Sequence, residues 1–292
     1  MIKLSVIILN YNTKDLLLKC VQSVTRQYKK EINNKDFELI VVDNASSDGS
    51  VEEIKKFNKM IKNLVLLENK ENYGFSKGNN IGALRAKGEY ILFLNSDTRV
   101  GDRGLLKMVD FLDQNENVGI LGGKLWNRDG SQQASCGNFY NLINLFIALL
   151  GGERLGLIRK KPSKIERVNW VSGASMMIRK NLFEKLKGFD EKLFMYMEDM
   201  ELCFRANKAA FQTYFYPDIE IVHQELGSSN RNFAIVNIYK GILYFYKKHK
   251  IWQYPLVKIM LLIKALVAIL IGVLINNNYL KKTYTGALKF AV

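Results

Sequence analysis

Acidic side chains recur in this chain where short apolar runs stop, a spacing that could support chemistry. The run 37–42 ends on Asp43-Asn-Ala-Ser-Ser-Asp48-Gly-Ser50, and the run 90–94 ends on Asn95-Ser96-Asp97-Thr98. The pair Glu198-Asp199 follows Met195-Tyr196-Met197, and His223 follows the run 219–222. A carboxylate at the end of a buried strand suits a divalent cation, and a cation there suits a diphosphate. A carboxylate pair among apolar side chains suits proton abstraction, because burial raises its basicity. Plainer alternatives stand beside these: Asn-Ser-Asp-Thr makes an Asx turn, and Glu198 and Asp199 cap a helix whose dipole favours acids at its start. His223 enters the small-residue stretch Gln-Glu-Leu-Gly-Ser-Ser, which suits a ligand, whereas His249, inside Lys-Lys-His-Lys, reads as solvated.

The elements that must position these residues alternate in type. Residues 4–9 form a buried strand, and Asn10-Tyr11-Asn12-Thr13 leaves its C-terminal end. A helix follows from about Lys14, then a strand at 37–42, a helix at 51–62 and a strand at 64–67. This β-α-β-α-β order predicts a parallel sheet with right-handed crossovers. Carboxylates at the same end of neighbouring strands then line one crevice. Gly74, Gly78 and Gly82 are spaced by four, so a helix there presents one bare face to a ligand or to another element. Asn80 lies between them, and Lys77 near the helix start suits a phosphate. The spacing matches neither a dinucleotide fingerprint nor a P-loop. After Asp97 a helix at 105–112 and a strand at 118–121 are expected.

The second half changes character. Trp126-Asn-Arg-Asp129-Gly130-Ser reads as a hairpin turn. The apolar stretch 138–150 is too short to span a bilayer, and it reads either as core or as a surface against lipid. A basic loop at 154–164, strand character over 168–178, a helix at 182–186, a helix from Glu198, and strands at 211–216 and 219–222 follow. From about Asn232 the chain is helical, broken at Tyr254-Pro255. Residues 256–275 are apolar except for Lys258 and Lys264, which fits a span, an interfacial helix or a buried hairpin. Residues 1–230 and 231–292 are expected to form an α/β domain and a basic, apolar membrane-association region.

With 48% hydrophobic residues the chain can bury a sizeable core, and its net charge of +15 calls for an anionic partner. Three widely separated cysteines indicate neither a disulfide framework nor a zinc site and fit a reducing compartment. The positive charge is spread along the chain and heavy in an apolar tail, which argues against a nucleic-acid binder.

Taken together, Val6-Ile-Ile-Leu-Asn-Tyr-Asn12, Ile40-Val-Val-Asp43-Asn-Ala-Ser-Ser-Asp48-Gly-Ser50, Asn72-Tyr-Gly-Phe through Asn80, Leu94-Asn-Ser-Asp97-Thr and Glu198-Asp199 resemble glycosyltransferase family 2. The closest likeness is to its bacterial rhamnosyltransferase-like members, and it covers residues 1–225. The resemblance implies an α/β GT-A fold, a Rossmann-like, mostly parallel sheet flanked by helices, here with a C-terminal apolar helical appendage. It also implies an inverting displacement from a nucleoside-diphosphate-sugar donor, dTDP or UDP, to a lipid-linked or polysaccharide acceptor at the cytoplasmic face of the membrane. A transferase using a UDP-hexose on another acceptor, and a non-catalytic sugar-nucleotide binder, are the rivals. By matching motif, Asn10, Tyr11, Asn12, Asp43 and Asp48 would form the base and ribose pocket. Gly74 and Asn80 would lie near the diphosphate, Asn95, Ser96 and Asp97 would complete the donor site, and Asp97 and His223 would hold Mg²⁺ or Mn²⁺. Asp199 would be the base and Glu198 its neighbour. Asn95 stands where the family's metal motif carries an aspartate, which removes one charged ligand.

Overall fold

Apolar β-branched runs with turn residues at both ends give the central strands, and helical-period stripes give the layers that cover them. The computed structural model describes residues 2–58, 61, 63–152, 158–224 and 231–291. In chain order it contains β1 (Leu4–Asn10), α1 (Lys14–Gln27), α2 (Lys29–Asn33), β2 (Phe37–Asp43), α3 (Ser50–Asn58), β3 (Leu64–Glu68), α4 (Gly74–Arg85) and β4 (Tyr90–Asn95). Then come β5 (Thr98–Val100), α5 (Gly104–Gln114), β6 (Val118–Trp126), β7 (Cys136–Gly137), α6 (Leu142–Leu149), β8 (Arg159–Lys160), β9 (Glu166–Val168), β10 (Trp170–Val171) and β11 (Ser175–Arg179). The chain closes with α7 (Lys180–Lys185), α8 (Glu198–Lys208), β12 (Gln212–His223), α9 (Arg231–His249), α10 (Tyr254–Leu274) and α11 (Asn278–Ala291).

The main sheet runs β3-β2-β1-β4-β11-β6-β12-β5, with β9 paired to β12. Strands β3, β2, β1 and β4 are mutually parallel, as is β6 with β12, while β11 enters antiparallel between β4 and β6. One face packs on α1, α3 and α5 through Leu17, Val21, Ile54, Leu105 and Met108. The other packs on α4, α7 and α8 through Phe75, Ala83, Phe183 and Leu202. Gly78 and Gly82 serve this second layer: a Cβ at Gly82 would lie 2.7 Å from Ile7 Cγ2, and one at Gly78 would lie 2.5 Å from Leu9 Cδ1. The bare helix face thus meets the sheet, not a ligand, and Lys77 Nζ sits 3.9 Å from the centre of the Tyr73 ring.

The second half departs from several expectations. Residues 168–178 are not one strand: the turn Ser172-Gly173-Ala174 divides β10, in a small sheet with β7 and β8, from β11 in the main sheet. The runs 211–216 and 219–222 are one strand, β12, whose register to β6 shifts between Tyr216 and Ile221. Pro217, which has no N–H to donate, sits at that irregularity. Pro255 occupies the first turn of α10, where its missing N–H costs nothing. His249 is not solvated; its side chain is 7% exposed and its Nε2 lies 2.9 Å from Glu201 Oε1. The end of the helix expected at 51–62, the start of the basic loop at 154–164 and the small-residue loop after Gln224 fall on positions outside the described residues.

Candidate active site

Strand register builds the crevice. Asn10 pairs with Asp43 across β1 and β2, and Leu9 pairs with Asn95 across β1 and β4, so all three strands deliver polar residues to one edge. Buried Asn10 donates to Asp43 Oδ1 at 2.8 Å and to Ser46 Oγ at 3.0 Å. Its own Oδ1 accepts from Thr13 Oγ1 at 2.6 Å, and Thr13 in turn meets Ser96 Oγ at 2.8 Å. Asp43 Oδ2 accepts the Ser46 N–H at 2.8 Å. Asn12, with φ of 52°, accepts the Ser47 N–H at 2.8 Å, which closes the loop after β2 onto the loop after β1. Tyr11 stands exposed beside this network.

Two of the expected site residues are bound into the framework. Asp48 accepts from Lys14 N at 2.8 Å at the start of α1 and from Ser50 Oγ at 2.6 Å at the start of α3. Burial works to raise its pKa, but those hydrogen bonds prevail and hold it below the ordinary carboxylate range. Asn80 donates to Phe189 O at 2.9 Å and accepts Phe189 N–H at 2.9 Å, so its amide secures the loop after α7. Gly74, at φ of +78°, lets Phe194 approach; a Cβ there would lie 2.5 Å from Phe194 O. The adjacent Phe75 N–H donates to that same oxygen at 2.6 Å. The start of α4 is thereby fastened to the segment that leads into Glu198 and Asp199.

The acidic pair begins α8 after two residues in left-handed conformation, Tyr196 at φ of 72° and Met197 at φ of 73°. Non-glycine residues in that region carry strain of about 1–3 kcal/mol each, which functional sites commonly store. Asp199 Oδ2 accepts the Gly173 N–H at 3.1 Å, and Oδ1 accepts the Met200 N–H at 2.7 Å. Burial raises the Asp199 pKa in spite of these donors and of the Arg159 charge. Glu198 is buried, its Oε2 has no hydrogen-bond partner, and burial with the neighbouring Asp199 charge pushes its pKa well above the ordinary value. The turn that holds Asp199 also holds β4: Ala174 O accepts the Asn95 N–H at 3.1 Å.

Asp97 is buried, and its Oδ1 lies 3.3 Å from His223 Nε2. Gln133, which no local sequence signal marks, orients that imidazole. Its Nε2 donates to Asn127 Oδ1 at 2.6 Å and to His223 O at 2.8 Å, so Oε1 must be the atom that meets His223 Nδ1 at 2.8 Å. Nδ1 therefore carries a proton, which in the neutral imidazole leaves Nε2, the nitrogen facing Asp97 and Asn95, as the one able to bind a cation. Two ligands about 2.1 Å from one cation and at right angles to it lie about 3 Å apart, so Asp97 Oδ1 and His223 Nε2 fit one ion. Asn95 Nδ2 is 3.4 Å from the same nitrogen, and the opposite amide rotamer would offer an oxygen. Among the described residues no three His, Cys, Asp or Glu side chains converge. Such an ion would complete its coordination from water and phosphate oxygens, as Mg²⁺ commonly does.

This arrangement is that of a GT-A fold. The profile described as "Glycosyl transferase family 2" matches residues 5–187, and the chain belongs to that family. It is 26% identical over 220 residues to N-acetylglucosaminyl-diphospho-decaprenol L-rhamnosyltransferase of Mycobacterium tuberculosis, covering 66% of this chain and 68% of that protein. It is 35% identical over 121 residues to poly(ribitol-phosphate) beta-glucosyltransferase of Bacillus spizizenii, a match spanning 41% of this chain but only 19% of that longer protein. The fold superposes on the mannosyltransferase PcManGT of Pyrobaculum calidifontis, solved with GDP-Man and Mn²⁺. The TM-score is 0.60 at 17% identity, covering 99% of this chain and 84% of that one.

Proposed function

We propose that the chain is an inverting glycosyltransferase of cell-surface glycan synthesis. It moves a sugar, rhamnose or another hexose, from a dTDP or UDP donor to a hydroxyl of a lipid-linked or polysaccharide acceptor. The supporting observation is the turn Gly173-Ala174, which donates to Asp199 and accepts from Asn95 and so ties a candidate base to the strand end that carries Asp97. In this reading Asp199 takes the proton of the acceptor hydroxyl as that oxygen bonds to the anomeric carbon. The bond from that carbon to the diphosphate breaks in line, and the configuration inverts. Asp97 and His223 would hold a divalent cation, which supplies charge neutralisation to the leaving diphosphate. Tyr11 and the Asn10–Asp43–Ser46 network would receive the base and ribose. The rhamnosyl relative favours a deoxysugar donor and a polyprenyl-linked acceptor, and residues 231–292 would keep the protein at the cytoplasmic face of the membrane.

The test is thermal stability of the purified protein with UDP, dTDP, GDP or ADP, each with and without Mn²⁺. A ligand at about a hundred times its dissociation constant adds about 2.7 kcal/mol. Stabilisation by one pyrimidine diphosphate, enhanced by Mn²⁺ and lost in Asp97→Ala, is expected. Absence of any nucleotide effect would remove the reading.

A further inference from the structure

We infer that α6 and α10 form one apolar surface that lies in the plane of an anionic bilayer, with α10 resting on the membrane and not crossing it. Helix α10 is long and apolar enough to span. Its two long faces, however, are already distinguished. Val257, Leu261, Ala265, Ala268 and Gly272 are buried where α10 packs on α9 and α11. A Cβ at Gly272 would lie 2.9 Å from Leu280 Cβ, so the hairpin with α11 is tight. A crossing α10 would have to take these partners along, and α11 carries Lys281, Lys282 and Lys289 beside one open groove. Charged side chains at that density oppose burial in hydrocarbon.

The opposite face is apolar and uncovered. Leu256, Ile259, Ile263, Leu266, Leu270 and Val273 are each between 48% and 59% exposed, and their spacing by threes and fours places them on one stripe. At about 100° per residue, Lys258 and Lys264 fall on opposite flanks, each more than about 100° from the centre of that stripe. Lysines in the middle of a spanning segment are costly, but lysines along both edges of an in-plane helix reach the headgroups. Trp252, 95% exposed just before α10, adds the side chain most at home at that boundary.

The second half of the surface comes from a segment more than a hundred residues earlier. Ile143, Phe146 and Leu150 are exposed at 71%, 54% and 72%, again spaced by three and four, while Leu145 anchors α6 from beneath. Helices α6 and α10 are in contact, which lets the two stripes share one surface. An apolar patch of this extent on a soluble monomer marks an interaction surface. The net charge of +15 selects the occupant, because a second copy would set like charges face to face, whereas anionic lipid answers them. The arrangement also bears on the acceptor. Helix α9, which packs on α10, meets the catalytic segment at Gly241, where a Cβ would lie 2.7 Å from Met197 Cγ. Helix α9 therefore touches both the lipid-facing layer and the residue before Glu198. That last step rests on the transferase reading; the membrane geometry does not.

The experiment adds purified full-length protein to sealed phosphatidylcholine vesicles with and without about a third phosphatidylglycerol, scaled to the anionic leaflets that attract basic segments. Sedimentation gives the binding, and dTDP or UDP stabilisation is recorded on the same samples. Ile143→Ser with Phe146→Ser should weaken binding to anionic vesicles at least tenfold, with an unchanged melting temperature; Leu270→Ser on α10 should act in the same direction. Asn276→Cys, at the far end of α10, should react with a membrane-impermeant maleimide on bound protein as fully as in detergent, since Cys20, Cys136 and Cys203 are buried. Protection of Asn276→Cys until detergent is added, undiminished binding of the α6 variant, equal binding to neutral vesicles, or dimerisation without vesicle binding would each overturn the inference. Vesicle binding without nucleotide stabilisation would sustain it while removing the transferase reading.

Discussion

Gln133 Oε1 accepts the Nδ1 proton of His223 at 2.8 Å, and the direction of that bond is fixed by two others from the same amide. The tautomer of a candidate metal ligand is thus set by a residue in the return of the Asp129-Gly130 turn. Gln133→Leu should lower Mn²⁺ affinity in the presence of nucleotide by about 10–100-fold, the usual cost of losing such a partner. Binding of the nucleotide without metal should stay within about twofold, because the hydrogen bonds of Gln133 go to Asn127 and His223 and not to the loops after β1 and β2. Calorimetric titration of metal and nucleotide separately checks this; equal loss of both would mean that the substitution had disturbed the fold.

Asp199 and its two backbone donors lead to a second outcome. Asp199→Asn keeps the side-chain shape and the Met200 contact while removing the proposed base, so kcat should fall by about 10²–10⁴ with donor affinity nearly unchanged. To act as base in the wild type Asp199 must be ionised, and burial raises its pKa. The acid limb of the kcat profile should therefore lie above the ordinary aspartate value of about 3.9, with activity rising through it as pH increases. A limb at or below that value would argue against Asp199 as the base.

The first half of the fold was legible because its signals are local. Strand runs at 4–9, 37–42, 64–67 and 90–94 alternate with helices over short loops, so the order alone dictates a parallel sheet and one polar edge. The second half depends on partners distant in sequence. No local signal says that 168–178 must break at Ser172-Gly173-Ala174; the break appears only when β4 and α8 are both in place to bond the turn. His249 looked solvated among lysines because Glu201, its partner, lies 48 residues away. Gln133 was invisible for the same reason: the Asp129-Gly130 turn announces a return, but only the pairing of β6 with β12 brings that return beside His223. Asn80 and Asp48 show the converse. Their motif positions were legible, while their hydrogen bonds serve the framework.

Glu198 offers a stability test. Its folded pKa is raised, so its protonated form is favoured by folding, and the associated stability is present below its unfolded value of about 4.3 and lost as pH rises through the folded value. Glu198→Gln cannot ionise and should lose nothing over that range. The melting temperature of the variant minus that of the wild type should therefore increase as pH rises above the unfolded value of about 4.3. A difference that is flat with pH, measured by calorimetry, would show that Glu198 is not held protonated.

Glu201 should behave oppositely. It is fully buried, receives Arg205 at 2.8 Å and 3.0 Å, Lys248 at 2.7 Å and His249 at 2.9 Å, and so joins α8 to the end of α9. Burial opposes its ionisation, but His249, Arg205 and Lys248 overcome that and bring its pKa down to about 2. Replacing it by Gln leaves three donors crowded without their counter-charge, and breaking a buried ionic cluster in this way costs about 3–5 kcal/mol. The sign follows from the lowered pKa: the contribution is complete above the unfolded value of about 4.3 and disappears as pH falls through the folded one. Urea unfolding of Glu201→Gln should show the full deficit at pH 7 and a shrinking one below pH 4. Because Lys248 also binds Asp190 at 2.6 Å, and Asp190 accepts from Tyr244 at 2.7 Å, loosening this cluster should free α9 from the segment leading to the acidic pair. Hydrogen exchange in α9 should rise in the variant more than exchange in β1 or β2, and uniform acceleration would show that the cluster stabilises the whole fold and not that junction.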